Sequence, residues 1–433
     1  MTDGSTRKIT VEALTRVEGE GALHVRLRDG GVESVKLSIY EPPRFFEAFL
    51  QGRRLEEVPD ITARICGICP VAYQMTSVHA LEQALGVEIT PEIRILRRLL
   101  YCGEWIESHV LHIYMLNAPD FFDSHSGIEL AKRFPDEVTQ GLRIKKVGNR
   151  LLEILGGRAI HPVNVRVGGF YRSPEVSQLT ELLPDLESAL DAAIESARWV
   201  AGFDFPCFDL PMEMVALQHD EEYPMNEGHI ASSARPKIAV ADYEKHFAEV
   251  HVPHSTALQS EIGDAGAPYF LGPLARLRFN HERLFPQARR LTDELFPDGP
   301  TENRFHSILA RSIEVVHSLI EAISIIKSFR PLKRPFVEYT PCNGFGCAAT
   351  EAPRGMIYHS YQVNDVGEVV TSKIVPPTSQ NQKQIELDLV GFLPSIIQQS
   401  DDRVAAECEK LIRTYDPCIS CSTHFLRLTM ERR

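Results

Sequence analysis

The chain has 433 residues, of which 43% are hydrophobic and 24% charged, with a formal net charge of -13; it is long enough to bury a large core. The acidic balance argues against nucleic acid and anionic membranes as partners, and no run of about 18 apolar residues is present to span a bilayer. Nine cysteines, an odd number in a long chain whose first residues lack the apolar core of a signal peptide, fit metal binding better than a disulfide framework.

Residues 7–40 predict a β-hairpin. Leu23, Val25 and Leu27 alternate, Asp29-Gly30-Gly31 turns the chain, and Val35, Leu37 and Ile39 alternate again. A helix is expected from Thr90 as N-cap and Pro91 as first residue, with Ile93, Leu96, Leu100, Ile106, Val110 and Ile113 inward. On it His109 and His112 share a face; packed, hydrogen-bonded histidines are the reading preferred over a metal chelate. A second helix should start at Ser173-Pro174-Glu175 and run to about Val200, kinked or broken at Pro184. A third should cover about Asn303 to Phe329. Residues 355–375 return to strand character around a turn at Asn364-Asp365-Val366-Gly367, and short helices follow. Helices dominate and small sheets lie near both chain ends, so the class is α+β, predominantly helical. We expect one unit over 1–433: a β-rich region over 1–60, a mainly helical region over 61–340, and a C-terminal region over 341–433.

Two cysteine pairs frame the chain, Cys66-Gly67-Ile68-Cys69 and Cys418-Ile419-Ser420-Cys421. Four thiolates brought together would grip a soft or borderline transition metal. Spacing alone leaves structural zinc and a redox dithiol open. The flanking residues carry more. Arg64-Ile65-Cys66-Gly67-Ile68-Cys69-Pro70 and Asp416-Pro417-Cys418-Ile419-Ser420-Cys421-Ser422-Thr423-His424 resemble the two signature motifs of the large, catalytic subunit of NiFe hydrogenases. Arg16-Val17-Glu18-Gly19, Gly156-Gly157-Arg158 with His161-Pro162, and Glu351-Ala352-Pro353-Arg354-Gly355 resemble three further motifs of that family, in the same order. The flavour of the pairs looks like the cytoplasmic, NAD(P)-linked group, including the sulfhydrogenase type.

That resemblance implies the family's large-subunit fold, with a central helical bundle, and an enzyme that reversibly splits dihydrogen. It implies nickel on all four cysteines, with Cys66 and Cys418 as terminal thiolates. Cys69 and Cys421 would bridge to an iron carrying carbon monoxide and cyanide. Glu18 would relay protons beside Cys418, as a buried carboxylate with a raised pKa. Arg354 would hang over the open face of the metals with Asp416 as its carboxylate neighbour. Glu47 and His424, with a backbone carbonyl near Lys373, would hold magnesium. His161 would face a neighbouring subunit's iron–sulfur cluster. Tyr73 departs from the family, which often has histidine there; a tyrosine hydroxyl can also donate a hydrogen bond. The family's precursors are often cut after the last histidine, so residues 425–433 are expected to be a removable tail.

The remaining cysteines, Cys102, Cys207, Cys342, Cys347 and Cys408, lack iron–sulfur spacing. Gly344-Phe345-Gly346 is a weak dinucleotide fingerprint, because it leads into Pro353 rather than a helix. Clusters, flavin and nucleotide are therefore expected on partners: an iron–sulfur small subunit and NAD(P)-binding diaphorase subunits. Rival readings are a deazaflavin- or heterodisulfide-linked hydrogenase and a slow hydrogen sensor. A metal-free relative from respiratory complex I is excluded by the cysteine pairs, which it lacks.

Overall fold

Asp29 and Gly30 both adopt positive φ, 53° and 78°, which is the backbone of a type I′ turn. They join the strands Gly21–Arg28 and Gly31–Ile39, with Arg28 paired to Gly31. The hairpin expected over 7–40 is thus present, and an unexpected strand, Thr6–Val11, pairs antiparallel with Gly21–Arg28 to make a three-stranded sheet. Leu23, Val25 and Leu27 face the core while His24, Arg26 and Arg28 are exposed. The computed structural model describes residues 6–423, so His424 and the tail over 425–433 lie outside the described residues.

Four helices pack in a ring: Pro91–Leu111, Pro135–Gly156, Leu183–Ala201 and Ser307–Ser328. The first is capped as expected, the Thr90 hydroxyl accepting from Ile93 N, and it runs on into a π-turn, His112–Asn117. The helix expected from Ser173 is two. Glu175, not Ser173, caps Val176–Thr180, in a capping box with Gln178. The break precedes Pro184, which sits in the first turn of Leu183–Ala201, where its missing N–H costs nothing. The third predicted helix opens with a 3-10 turn, Arg304–His306, capped by Asn303.

A second antiparallel sheet holds Gly344–Ala352, Gly355–Val363 and Val369–Val375 in that order. The glycines of the weak nucleotide fingerprint are strand residues here. A Cβ on Gly346 would lie 2.1 Å from Ala80 O, and one on Gly344 2.0 Å from Ala84 O. They let the strand approach the helix Pro70–Leu85, which packs across this sheet. Gly346→Ala should therefore destabilise the protein by about 1–3 kcal/mol through overpacking, read as a lower midpoint in urea unfolding; an unchanged midpoint would refute the close-packing account.

The helices that follow are longer than expected, Pro377–Ile396 and Asp401–Thr414. Three two-stranded sheets in the middle of the chain were also not anticipated: Val165–Arg166 with Gly169–Phe170, Val215–Gln218 with His229–Ser232, and Phe247–Val250 with Gln259–Ile262. The helix Pro377–Ile396 lies against the strands Gly31–Ile39 and Gln259–Ile262, and the chain returns from it to the N-terminal sheet. That return brings the two cysteine pairs together.

Candidate metal centre

The first cysteine pair occupies the loop between the helices Val58–Ala63 and Pro70–Leu85. The Cys66 sulfur accepts from the Ile68 and Cys69 N–H groups, both at 3.3 Å. The second pair leads into a 3-10 turn, Ser420–Thr423. All four thiols are buried, none more than 4% exposed, and none is in a disulfide. Cys66 Sγ lies 3.5 Å from Cys418 Sγ, and Cys418 Sγ 2.7 Å from Cys421 Sγ. The ligand atoms of Cys66, Cys69 and Cys421 lie within 4.8 Å of one another, and so do those of Glu18, Cys418 and Cys421. Cys421 belongs to both groups.

Without a cation the four thiols cannot share this space as thiolates. Hydrogen bonds from Cys418 and then Cys421 hold Cys66 well below the usual thiol range, helped by the charge of Arg354. Its bond with Cys421 pushes Cys418 up, and burial pushes Cys421 up. A soft metal ion removes that competition, since each sulfur then binds as a thiolate.

Glu18 meets the second pair through main chain and side chain. Ile419 N donates to Glu18 O at 2.8 Å. Cys418 Sγ and Ser420 N both donate to Glu18 Oε2, each at 3.1 Å. The approach is close because the next residue is glycine: a Cβ on Gly19, at φ 90°, would lie 2.8 Å from Ile419 Cβ. Glu18 is half-buried, not fully buried as expected.

Arg354 is buried. It sits at the tip of the hairpin between Ala352 and Gly355, which pair, and is 3% exposed. Its Nε donates to Asp416 O at 2.7 Å and its Nη2 to Asp416 Oδ1 at 3.2 Å. Burial pushes the Asp416 carboxyl up, against the pull of Arg354. Three buried polar atoms around the thiols have no partner among the described residues: Arg354 Nη1, Asp416 Oδ2 and the Tyr73 hydroxyl. Burial, and then the charge of Cys421 and the other cysteines, pushes the Tyr73 hydroxyl well up. Buried polar groups are ordinarily paired. These three, with four convergent sulfurs, fit a metal centre that carries polar ligands of its own.

Glu47 and Lys373 also meet. Ile374 N donates to Glu47 Oε1 at 2.8 Å, and the Ser372 hydroxyl to Glu47 O at 3.1 Å. The Lys373 ammonium points elsewhere, 3.8 Å from Glu244, so only its carbonyl is a candidate ligand. Burial, and then the charge of Glu47, pushes Glu249 up to about 8. His109 and His112 are packed, as preferred above: His109 Nε2 lies 2.9 Å from Glu314 Oε2, and His112 Nε2 2.7 Å from Arg413 O. His161 is partly buried, with φ 51°.

Three residues were missed. Arg44 ties the cysteine loops together, donating to Ser420 O at 3.2 Å, Arg64 O at 3.1 Å and Ile65 O at 2.9 Å. Glu104, wholly buried, accepts from Val71 N at 2.6 Å and Ala72 N at 3.1 Å. It caps the helix that starts behind Cys69, which has no capping side chain of its own. The Thr378 hydroxyl accepts from Cys418 N at 2.9 Å. No local signal marked Glu104, because the same helix also buries Arg97, Arg98, Glu107 and His109.

The family model described as nickel-dependent hydrogenase matches residues 44–140. Sulfhydrogenase 1 subunit alpha of Pyrococcus furiosus is 33% identical over 425 residues, 97% of this chain and 98% of that protein. The NAD-reducing hydrogenase HoxS subunit beta of Cupriavidus necator is 26% identical over 471 residues, 97% of this chain and 95% of that one. Among solved structures, a chain of an NAD+-reducing [NiFe]-hydrogenase in the H2-reduced state superposes with a TM-score of 0.86 at 24% identity, covering 96% of this chain and 99% of that chain; the fold is the same.

Proposed function

Because the chain belongs to the nickel-dependent hydrogenases, as their large catalytic subunit, we propose that Cys66, Cys69, Cys418 and Cys421 hold its nickel and iron and that Glu18 carries protons from them. The observation that carries this reading is the convergence of the four buried sulfurs with the Glu18 carboxylate. Nickel and iron there, the iron with carbon monoxide and cyanide ligands, would supply heterolytic cleavage of dihydrogen into a proton and a hydride equivalent, whose oxidation brings the sum to two protons and two electrons.

The chain's own residues do the rest. Glu18 Oε2 takes up the proton that dihydrogen cleavage would leave on Cys418 Sγ, its hydrogen-bonded neighbour, and passes it outward from a half-buried position. Arg354 presents a permanent positive charge and an uncommitted N–H edge, oriented by two bonds to Asp416. Burial of the sulfurs keeps water away from them. Glu47, the Lys373 carbonyl and His424 would hold magnesium, which would tie the end of the chain to its N-terminal region.

The other cysteines form no cluster site among the described residues, so electrons leave through a small subunit with iron–sulfur clusters. We infer NAD or NADP as final acceptor, reached through flavin-bearing partners, in the cytoplasm. The similarity to an NAD-reducing hydrogenase subunit supports this, as does the flavour of the cysteine motifs. No helix among the described residues is long and apolar enough to cross a membrane.

Infrared spectroscopy and elemental analysis of the purified complex test the centre. Carbon monoxide and cyanide bands with stoichiometric nickel are expected, and their joint absence would overturn it. Hydrogen-dependent reduction of NAD+ or NADP+ tests the acceptor; a complex that reduces only a dye would remove pyridine nucleotide from the scheme.

A further inference from the structure

Arg276 lies on the helix Pro273–Asn280 and is wholly buried. A guanidinium has five N–H donors in a rigid fork, and here all five are used. Nε donates to Glu314 Oε1 and Nη2 to Glu314 Oε2, both at 2.7 Å. Nη1 donates to Glu351 Oε2 at 2.9 Å. The last two donors go to main chain: Nη1 to Ala352 O and Nη2 to Pro353 O, each at 2.9 Å. The Trp105 ring lies beneath, 4.5 Å from the guanidinium carbon, and Trp105 Nε1 donates to Glu351 O at 3.1 Å.

The three carbonyls that precede Arg354 are therefore all held by side chains from other elements. The Glu351 carboxylate is fixed in turn by Leu217 N at 2.7 Å. This matters because Arg354 occupies the tip of a two-residue turn, where strand pairing no longer constrains the chain. Among the described residues, its own guanidinium is hydrogen-bonded only to Asp416. A chain of contacts runs from Glu314 through Arg276 to the turn, then through Arg354 to Asp416, two residues before Cys418.

We propose that Arg276, clamped by Glu314 and Glu351, is a positioning residue that sets where the Arg354 guanidinium stands over the thiol cluster. The proposal rests on the role given to Arg354 above. Lysine cannot replace it, because three donors at one point cannot chelate Glu314 and also hold two carbonyls.

The test is Arg276→Lys in the nickel-loaded complex with its small subunit. The control is Arg97→Lys, which loosens a second buried pair, Arg97–Glu82, bonded at 2.8 and 2.5 Å. Arg276→Lys should lower kcat for hydrogen oxidation roughly 10²-fold, the cost of about an ångström of misplacement. The KM for hydrogen should stay unchanged, and the carbon monoxide and cyanide bands should shift. Arg97→Lys should lose stability alone. If Arg276→Lys does not assemble, Glu351→Gln, which keeps the Glu314 chelate, should give a smaller band shift in the same direction. Wild-type kcat with unshifted bands in either assembled variant would overturn the proposal, as would the same losses in Arg97→Lys. A wild-type complex without hydrogen turnover would instead overturn the reading of the centre.

Discussion

Glu18→Gln should lower hydrogen oxidation and proton–deuterium exchange about 10²–10⁴-fold, the usual contribution of one positioned proton-transfer group, while nickel content stays at the wild-type level. The two halves of this expectation come from different atoms. The amide oxygen of glutamine can still accept from Ser420 N, and the main-chain bond from Ile419 N to residue 18 is untouched. The second cysteine loop therefore stays in place and the metals load. An amide cannot take up the proton that the Cys418 sulfur offers at 3.1 Å. Elemental analysis of the variant separates the effects: loss of nickel would make Glu18 a structural residue, and exchange at the wild-type rate would remove it from the proton path.

The readable part of the centre was the part written in short strings. Each cysteine pair, Glu18 before Gly19, and Arg354 between Pro353 and Gly355 carry chemistry in consecutive letters, so their types and order could be recognised. Arg44, Glu104 and Arg276 act across the fold. Arg276 serves carbonyls 76 and 77 residues away, and no local pattern encodes that reach. The same physics hid the length of the helix Pro377–Ile396, where only short helices were expected. Its start, Thr378-Ser379-Gln380-Asn381-Gln382, is too polar to look like a core helix, yet all five residues are buried. Gln380 Nε2 donates to Met356 O, Leu271 N to Asn381 Oδ1, and Gln382 Nε2 to Leu37 O. Each amide replaces water with a main-chain group from another element, which makes burial tolerable. Periodicity counts apolar residues and cannot see such pairs. The strand Gly344–Ala352 failed for the opposite reason: glycines spaced like a phosphate loop are there for contact with a helix.

Cys421→Ser should abolish nickel binding, and activity with it, without unfolding the chain. Cys421 is the sulfur common to both groups of close ligand atoms, so its loss takes a donor from both halves of the site. A serine hydroxyl is a hard donor that stays protonated where a thiol ionises, so it cannot stand in for the bridging thiolate proposed for Cys421. The loop has other anchors. Cys418 N is held by Thr378, Ser420 N by Glu18, the Ser420 hydroxyl by Glu41 at 3.0 Å, and Thr423 O by Arg44 N at 2.5 Å. None of these uses the Cys421 side chain, so the change in urea unfolding free energy of metal-free protein should be about 1 kcal/mol, an ordinary single-residue effect. Arg44→Met should show the reverse balance. It leaves every sulfur in place but removes the side-chain donor that joins Ser420 to Arg64 and Ile65; the three bonds are part-buried or exposed, and together they should contribute about 1.5–3 kcal/mol. Stability should fall further than in Cys421→Ser, while nickel is reduced rather than lost, because the donors survive and only their spacing loosens. Nickel assay and unfolding on the same two preparations decide the matter: a Cys421→Ser protein with stoichiometric nickel would place the bridge on another sulfur, and an Arg44→Met protein with wild-type stability would leave closure of the two loops to the metals themselves.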